Sequence, residues 1–169
     1  MKEVLIDRTF ERHWMFKHLG KLWVCALPIA LAWVLTTHFG IAINLSHSLP
    51  QKVWLIRYSQ NPSMGDYVLF KAPLSVGLGE NGMVIKQVIG VPGDIVLRID
   101  RDFFINGVYV ATAKAFSRQK KPLEPGPQGF LVEGQYYVWT PHKDSFDSRY
   151  AKMGWMDASQ LLGVAYALW

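Results

Sequence analysis

The run LWVCALPIALAWVLTTHF, residues 22–39, contains no Lys, Arg, Asp or Glu, and apolar character resumes in Ile41-Ala42-Ile43. Counted over 22–43, it matches the roughly 20 apolar residues that a membrane-spanning helix needs. A buried soluble helix and a cleaved signal peptide are the competing readings. A signal peptide has an apolar core of about 7 to 15 residues followed by a small-x-small cleavage site. This run is longer and ends in no such site, so an uncleaved span is expected. Pro28 is no obstacle, because a membrane helix tolerates proline when neighbouring groups satisfy the freed carbonyl.

Charge orients the span. The chain carries a formal +5, which alone fits nucleic acid, anionic lipid or plain solubility. Its distribution says more. Lys2, Arg8, Arg12, Lys17 and Lys21 outnumber Glu3, Asp7 and Glu11 just before the apolar run, the asymmetry of a cytoplasmic flank. The expected organisation is a flank over 1–21, a transmembrane helix over 22–43, and an extracytoplasmic domain over 44–169. The bilayer is then a partner, the location a cytoplasmic (inner) membrane with a periplasmic domain, and no nucleic acid is expected. With 169 residues, half of them hydrophobic, one domain can build its core without staples. The single cysteine, Cys25, rules out an internal disulfide.

Beyond the anchor, Val53 to Tyr58, Asp66 to Phe70, Met83 to Ile89, Ile95 to Ile99 and Tyr136 to Trp139 are rich in Val, Ile, Tyr and Phe. Turn signals separate them, including Gly65-Asp66, Glu80-Asn81-Gly82, Pro92-Gly93-Asp94 and Asn106-Gly107. This pattern predicts a mostly β, antiparallel domain with hairpins. The stretch FSRQKKPLEPGPQG, 116–129, mixes charge with Pro and Gly and predicts an exposed loop.

Three segments could carry chemistry. Ser46 and Ser48 lie in NLSHSLP just after the anchor; serines beside a proline serve equally as turn residues. Lys86 sits inside the apolar stretch VIKQVIGVPGD. It either snorkels from a half-exposed strand or is buried, where desolvation drives an ammonium toward the neutral amine, which is a base. PHKDSFDSRY, 141–150, is dense in hydroxyls, carboxylates and an arginine, and suits either a hydrogen-bonded loop with an Asp–Arg pair or a platform that positions a base.

Taken together, SLP at Ser48 to Pro50, KQVIGVPGD at Lys86 to Asp94 and DSFDSRY at Asp144 to Tyr150 resemble the boxes of type I signal peptidases. The last box is most similar to that of the conjugative-transfer enzymes that mature pilin subunits. The resemblance covers roughly 44–169 and implies an antiparallel β-sheet, β-roll catalytic domain. It implies Ser48 as nucleophile and Lys86 as general base. Ser46 matches the position whose hydroxyl joins the Ser48 backbone N–H in an oxyanion hole, Ser145 the serine that orients the lysine, and Asp147 with Arg149 a structural ion pair. Two departures bear on specificity: Lys52 stands where conjugative relatives carry glycine, and Ala151-Lys152-Met153 are extra before Gly154.

The resemblance implies cleavage of an exported, pilin-like precursor beside conjugation or secretion components, with hydrolysis or cyclisation as the outcome. A general signal peptidase and a non-catalytic membrane-anchored β scaffold are the alternatives. Self-cleaving repressor-type Ser/Lys proteins share the fold, but no Ala-Gly or Cys-Gly dipeptide occurs here. Ser117-x-x-Lys120 mimics a penicillin-binding motif in a charged loop, with no SDN or KTG after it. The five histidines have no metal-ligand spacing beyond His13 and His18, so neither metal nor cofactor is expected.

Overall fold

The computed structural model describes residues 24, 26–46, 48–58 and 61–169, in two units divided between His38 and Phe39. In the first unit a helix covers 26–38, with Leu27, Ile29, Leu31 and Trp33 exposed. Among the described residues no helix is long and apolar enough to cross a membrane. Residues 22, 23 and 25 of the expected span lie outside the described residues, as does the flank over 1–21.

The far end of the expected span is corrected. The helix stops at His38, and Phe39–Ile43 is strand β1. The cause is local. Thr36 and Thr37 turn their hydroxyls back onto the carbonyls of Ala32, Trp33 and Val34, a competition with the helical ladder that disfavours its continuation. Next come Phe39 and Gly40, and a side chain at Gly40 would collide with the Tyr58 hydroxyl at 2.4 Å. The apolar residues Ile41 and Ile43 pair antiparallel with Leu55 and Val53 of β2 (Val53–Arg57).

The second unit is built from antiparallel strands. After β2 come β3 (Tyr67–Lys71), β4 (Met83–Gly90), β5 (Ile95–Ile99), β6 (Asp102–Ile105), β7 (Val108–Thr112), β8 (Gly129–Phe130), β9 (Gln135–Trp139), β10 (Met156–Asp157) and β11 (Leu161–Ala167). One sheet runs β1-β2-β11-β3-β4-β9-β10, the other β7-β6-β5-β8. The expected mostly β, antiparallel class holds. The strands predicted at 53–58, 66–70, 83–89, 95–99 and 136–139 all form, shifted by at most a residue at either end.

Three apolar clusters fill the domain: Val68, Phe70, Val88, Val138 and Met156 in the larger sheet; Val96, Phe103, Leu131 and Tyr137 toward the smaller; and Leu49, Trp54, Ile56 and Ala165 beneath the loop between β1 and β2. The strand β4 crosses from one sheet toward the other. It slips register at Val88/Gly90, where a Cβ on Gly90 would lie 2.9 Å from that of Tyr137. The turn that follows is held by Asp94, whose carboxylate accepts the Val91 N–H (2.8 Å) and the Asn106 amide (2.7 Å). Gly93 there has φ of 96°, which glycine adopts at little cost. Half of the KQVIGVPGD box is therefore a strand-to-turn device.

The stretch 116–129 is exposed over 116–122 apart from half-buried Ser117, and a bridge joins Phe116 to Pro122. Its second half is docked. Gly126 is buried, its N–H donates to the Arg149 carbonyl (2.7 Å), and a Cβ there would lie 2.1 Å from the Ser148 carbonyl.

Candidate active site

Three segments converge on one cleft of about 1180 Å³: the loop between β1 and β2, strand β4, and the loop following β9. Asn44, Ser46, Ser48, Lys86, Ser145 and Asp144 all line it, among apolar side chains such as Ile43, Ile85 and Phe146.

The β1–β2 loop is anchored from below. Leu49 is 2% exposed and packs with Trp54, while the Asn44 N–H donates to the Lys52 carbonyl at 2.7 Å. Ser48 is half-buried and Ser46 exposed, and their hydroxyls meet at 2.8 Å. Lys52 needs no glycine-like backbone, since its φ is not positive. Its N–H reaches the Trp169 carbonyl at 2.6 Å, so chain ends and strand pairing shape this turn.

Lys86 lies at the middle of β4, paired with Val68 of β3 and only 4% exposed. Of the two readings open from sequence, burial is the one adopted. Its ammonium donates to Ser145 Oγ at 2.7 Å. Desolvation is the main influence and lowers its pKa from 10.5 to about 8; the Asp147 carboxylate opposes this and the Arg149 guanidinium assists it. At neutral pH about a tenth of such a lysine is free amine, against less than a thousandth at the ordinary value. Lys86 and Ser48 share the cleft without a direct hydrogen bond between them; Ser48's side-chain partner is Ser46.

The loop after β9 is a rigid support for Ser145. Asp147 and Arg149 form a two-pronged pair, Nε to Oδ1 at 2.7 Å and Nη2 to Oδ2 at 2.8 Å, with both residues buried. Burial disfavours the guanidinium, but its hydrogen bonds and charge pairing with Asp147 outweigh this and hold its pKa above the usual value. Arg149 also donates to the Ser145 carbonyl at 3.3 Å. Ser148 ties the loop to β9, its N–H and Oγ bonding the Val138 C=O and N–H, each at 3.0 Å. A line of contacts thus runs from Asp147 through Arg149 and Ser145 to the lysine.

Sequence reasoning passed over several residues here. The Asn44 side chain carries four hydrogen bonds within the loop that holds Ser48; its signal was an amide four residues before Ser48. Asp144 accepts from Lys114 and, at 2.9 Å, from Arg118. Its pKa is lowered to about 2, chiefly by the hydrogen bond from Lys114. Of the extra residues 151–153, Met153 is buried and lines the cleft, while the Lys152 carbonyl accepts from Ser75 at 2.5 Å outside it.

Known proteins were compared with the chain. The curated relatives include a probable conjugal transfer protein TraF of Sinorhizobium fredii (strain NBRC 101917 / NGR234), 30% identical over 144 residues, covering 75% of each chain. The conjugal transfer protein TraF of Agrobacterium fabrum (strain C58 / ATCC 33970) is 27% identical over 162 residues, covering 85% of this chain and 90% of its own. Among solved structures, a signal peptidase I from Enterococcus faecalis V583 is 25% identical, with a TM-score of 0.40, over 62% of this chain and 96% of its own. The family described as signal peptidase, peptidase S26, matches residues 16–169. The chain therefore belongs to the signal peptidase family S26 and is a serine peptidase of the signal-peptidase kind.

Proposed function

We propose that the chain is a membrane-anchored endopeptidase that removes leader sequences from exported precursors, with Ser48 as nucleophile and Lys86 as general base. The observation that carries this reading is Lys86: buried, oriented by Ser145, lowered to about 8 and lining the same cleft as Ser48.

In the proposed reaction Ser48 Oγ attacks the scissile carbonyl and its proton passes to Lys86 Nζ. The oxyanion takes hydrogen bonds from the Ser48 N–H and the Ser46 hydroxyl. Collapse breaks the C–N bond, Lys86 returns the proton to the departing amine, and an ester remains on Ser48. Water then releases the product. Where the scissile bond lies near the substrate's carboxyl end, so that the body of the substrate is the ester held on Ser48, its own amino terminus can displace Ser48 instead, giving a cyclic product lighter by one water than the hydrolysed one. The names of the TraF relatives, conjugal transfer proteins, favour a role in conjugation; in the proposed reading the substrate is a conjugative pilin precursor and the partners are components of a conjugation apparatus.

The apolar helix over 26–38 and the basic segment before it support an inner-membrane anchor with the amino terminus in the cytoplasm and the catalytic domain in the periplasm. Ser48 follows that helix by only ten residues, so the site is held near the membrane surface, where an inserted precursor presents its bond.

The test is cleavage of a pilin-type precursor by the full chain in detergent or vesicles, read by intact mass. Cleavage by the parent and none by Ser48→Ala or Lys86→Ala is expected. Equal cleavage by these variants refutes the dyad and leaves the scaffold reading, and the product mass separates hydrolysis from cyclisation.

A further inference from the structure

The side-chain amide of Asn44 has every polar atom committed within the loop that carries Ser48. Its Oδ1 accepts the Ser46 N–H at 3.0 Å and the Ser46 hydroxyl at 2.7 Å. Its Nδ2 donates to the carbonyls of Leu49 at 3.3 Å and Gln51 at 3.2 Å. The amide has one workable orientation, because donors face one side and carbonyl acceptors the other. The backbone of the same residue closes the loop through Lys52. Asn44 is therefore a cross-brace over 44–52.

A serine hydroxyl has one proton. Asn44 Oδ1 only accepts, so the 2.7 Å contact uses the proton of Ser46. The 2.8 Å contact between Ser46 and Ser48 then uses the proton of Ser48. In the resting site the chain of donation runs from Ser48 to Ser46 to Asn44, and the proton of Ser48 is engaged by Ser46, not by Lys86.

We propose that Asn44 is a positioning residue that parks the Ser46 proton and holds Ser46 Oγ beside Ser48 until a substrate carbonyl competes for it. This rests on the reading of Ser48 as nucleophile. When the carbonyl arrives, Ser46 turns its O–H from Asn44 to the developing oxyanion. The same movement withdraws the acceptor of the Ser48 proton, which is freed to pass to Lys86 Nζ. No proton leaves Ser46, and Asn44 forms no bond with substrate. The amide couples filling of the oxyanion position to release of the nucleophile's proton.

The experiment is a double-mutant cycle on precursor-peptide cleavage by the full chain, with kcat, KM and thermal midpoint measured for the parent, Asn44→Ala, Ser46→Ala and the double variant. Ser46→Ala should lower kcat by about 10² to 10³, the usual loss for one oxyanion donor. Asn44→Ala should lower kcat about tenfold, the scale of one well-placed hydrogen bond, at little change in KM. In the Ser46→Ala background the Asn44 change should cost almost nothing more, since residues acting through one another are not additive. Asn44→Asp supplies a charged acceptor that holds the Ser46 proton more firmly and gives up the donations to Leu49 and Gln51, so its kcat should fall, together with its thermal midpoint. The proposal is overturned if Asn44→Ala costs as much without the Ser46 hydroxyl as with it, or if Asn44→Asp turns over like the parent. Either result, with the parent active and Ser48→Ala inactive, leaves the peptidase reading standing. A parent that cleaves no precursor refutes that reading and this proposal with it.

Discussion

Lys86 is uncomfortable by construction, and its discomfort sets the pH dependence. Its folded pKa of about 8 lies below the ordinary 10.5 because burial disfavours the ammonium. In the proposed mechanism the free amine is the base, so kcat/KM should rise tenfold per pH unit below about 8 and level off above it. Asp147 raises that pKa, so Asp147→Asn should move the limb to lower pH. It also strands a buried guanidinium, and breaking such a pair by removing one partner costs about 3–5 kcal/mol, which denaturant unfolding would read. Stability carries the opposite signature at Lys86. A base whose folded pKa is depressed costs stability below the folded value, and the cost fades as pH rises toward the unfolded value. Lys86→Met should be inactive, and its stability relative to the parent should fall between pH 7 and pH 10, as an advantage that shrinks or a deficit that grows. Thermal midpoints across that range test the sign.

At the scale of elements, the loop after β9 stands or falls with a close backbone approach. Gly126 meets the Ser148 and Arg149 backbone so tightly that a Cβ would lie 2.1 Å from a carbonyl oxygen. Gly126→Ala should therefore lower stability by about 1–3 kcal/mol, the range for overpacking, and should reduce kcat, because the displaced segment carries Ser145. A variant with parental stability and rate would show that this contact does not hold the loop. The strands legible from sequence are those with alternating or β-branched runs between turn signals, β2, β3, β4, β5 and β9. Others had weaker local signatures. The segment LLGVAYA of β11 is interrupted by Gly163, yet it lies between β2 and β3; Gly163 allows the Arg57 carbonyl to approach, as a Cβ would sit 2.5 Å from it. The boundary at Phe39 was missed because Phe, Gly, Ile and Ala are as apolar in an edge strand as in a lipid-facing helix. Pairing with β2, not hydropathy, decides their state.

Across the whole molecule, the candidate site is assembled from segments separated by about forty to sixty positions in sequence. Ser48, Lys86 and Ser145 were identifiable because each sits in a compact box. Asn44 was not, since its role depends on four short contacts within a loop whose closure no local pattern announces. The segment next to Met153 is tied down by a contact between Ser75 and Lys152, 77 positions apart in the chain. The anchored arrangement makes its own prediction. Full-length chain should resist extraction from membranes by alkaline carbonate, and protease added to spheroplasts should digest the domain after residue 44 while sparing the amino terminus. Recovery in the soluble fraction, or protection of the domain, would contradict the topology.

The central claim is a Ser48 ester formed with Lys86 as base. The most direct measurement is acid-quenched intact-mass and peptide mapping of the enzyme during precursor turnover at pH 8. The account predicts an acyl adduct on the peptide containing Ser48 in the parent and none in Ser48→Ala or Lys86→Ala. Precursor cleavage that persists in Ser48→Ala, or an adduct mapped to any other residue, would contradict it.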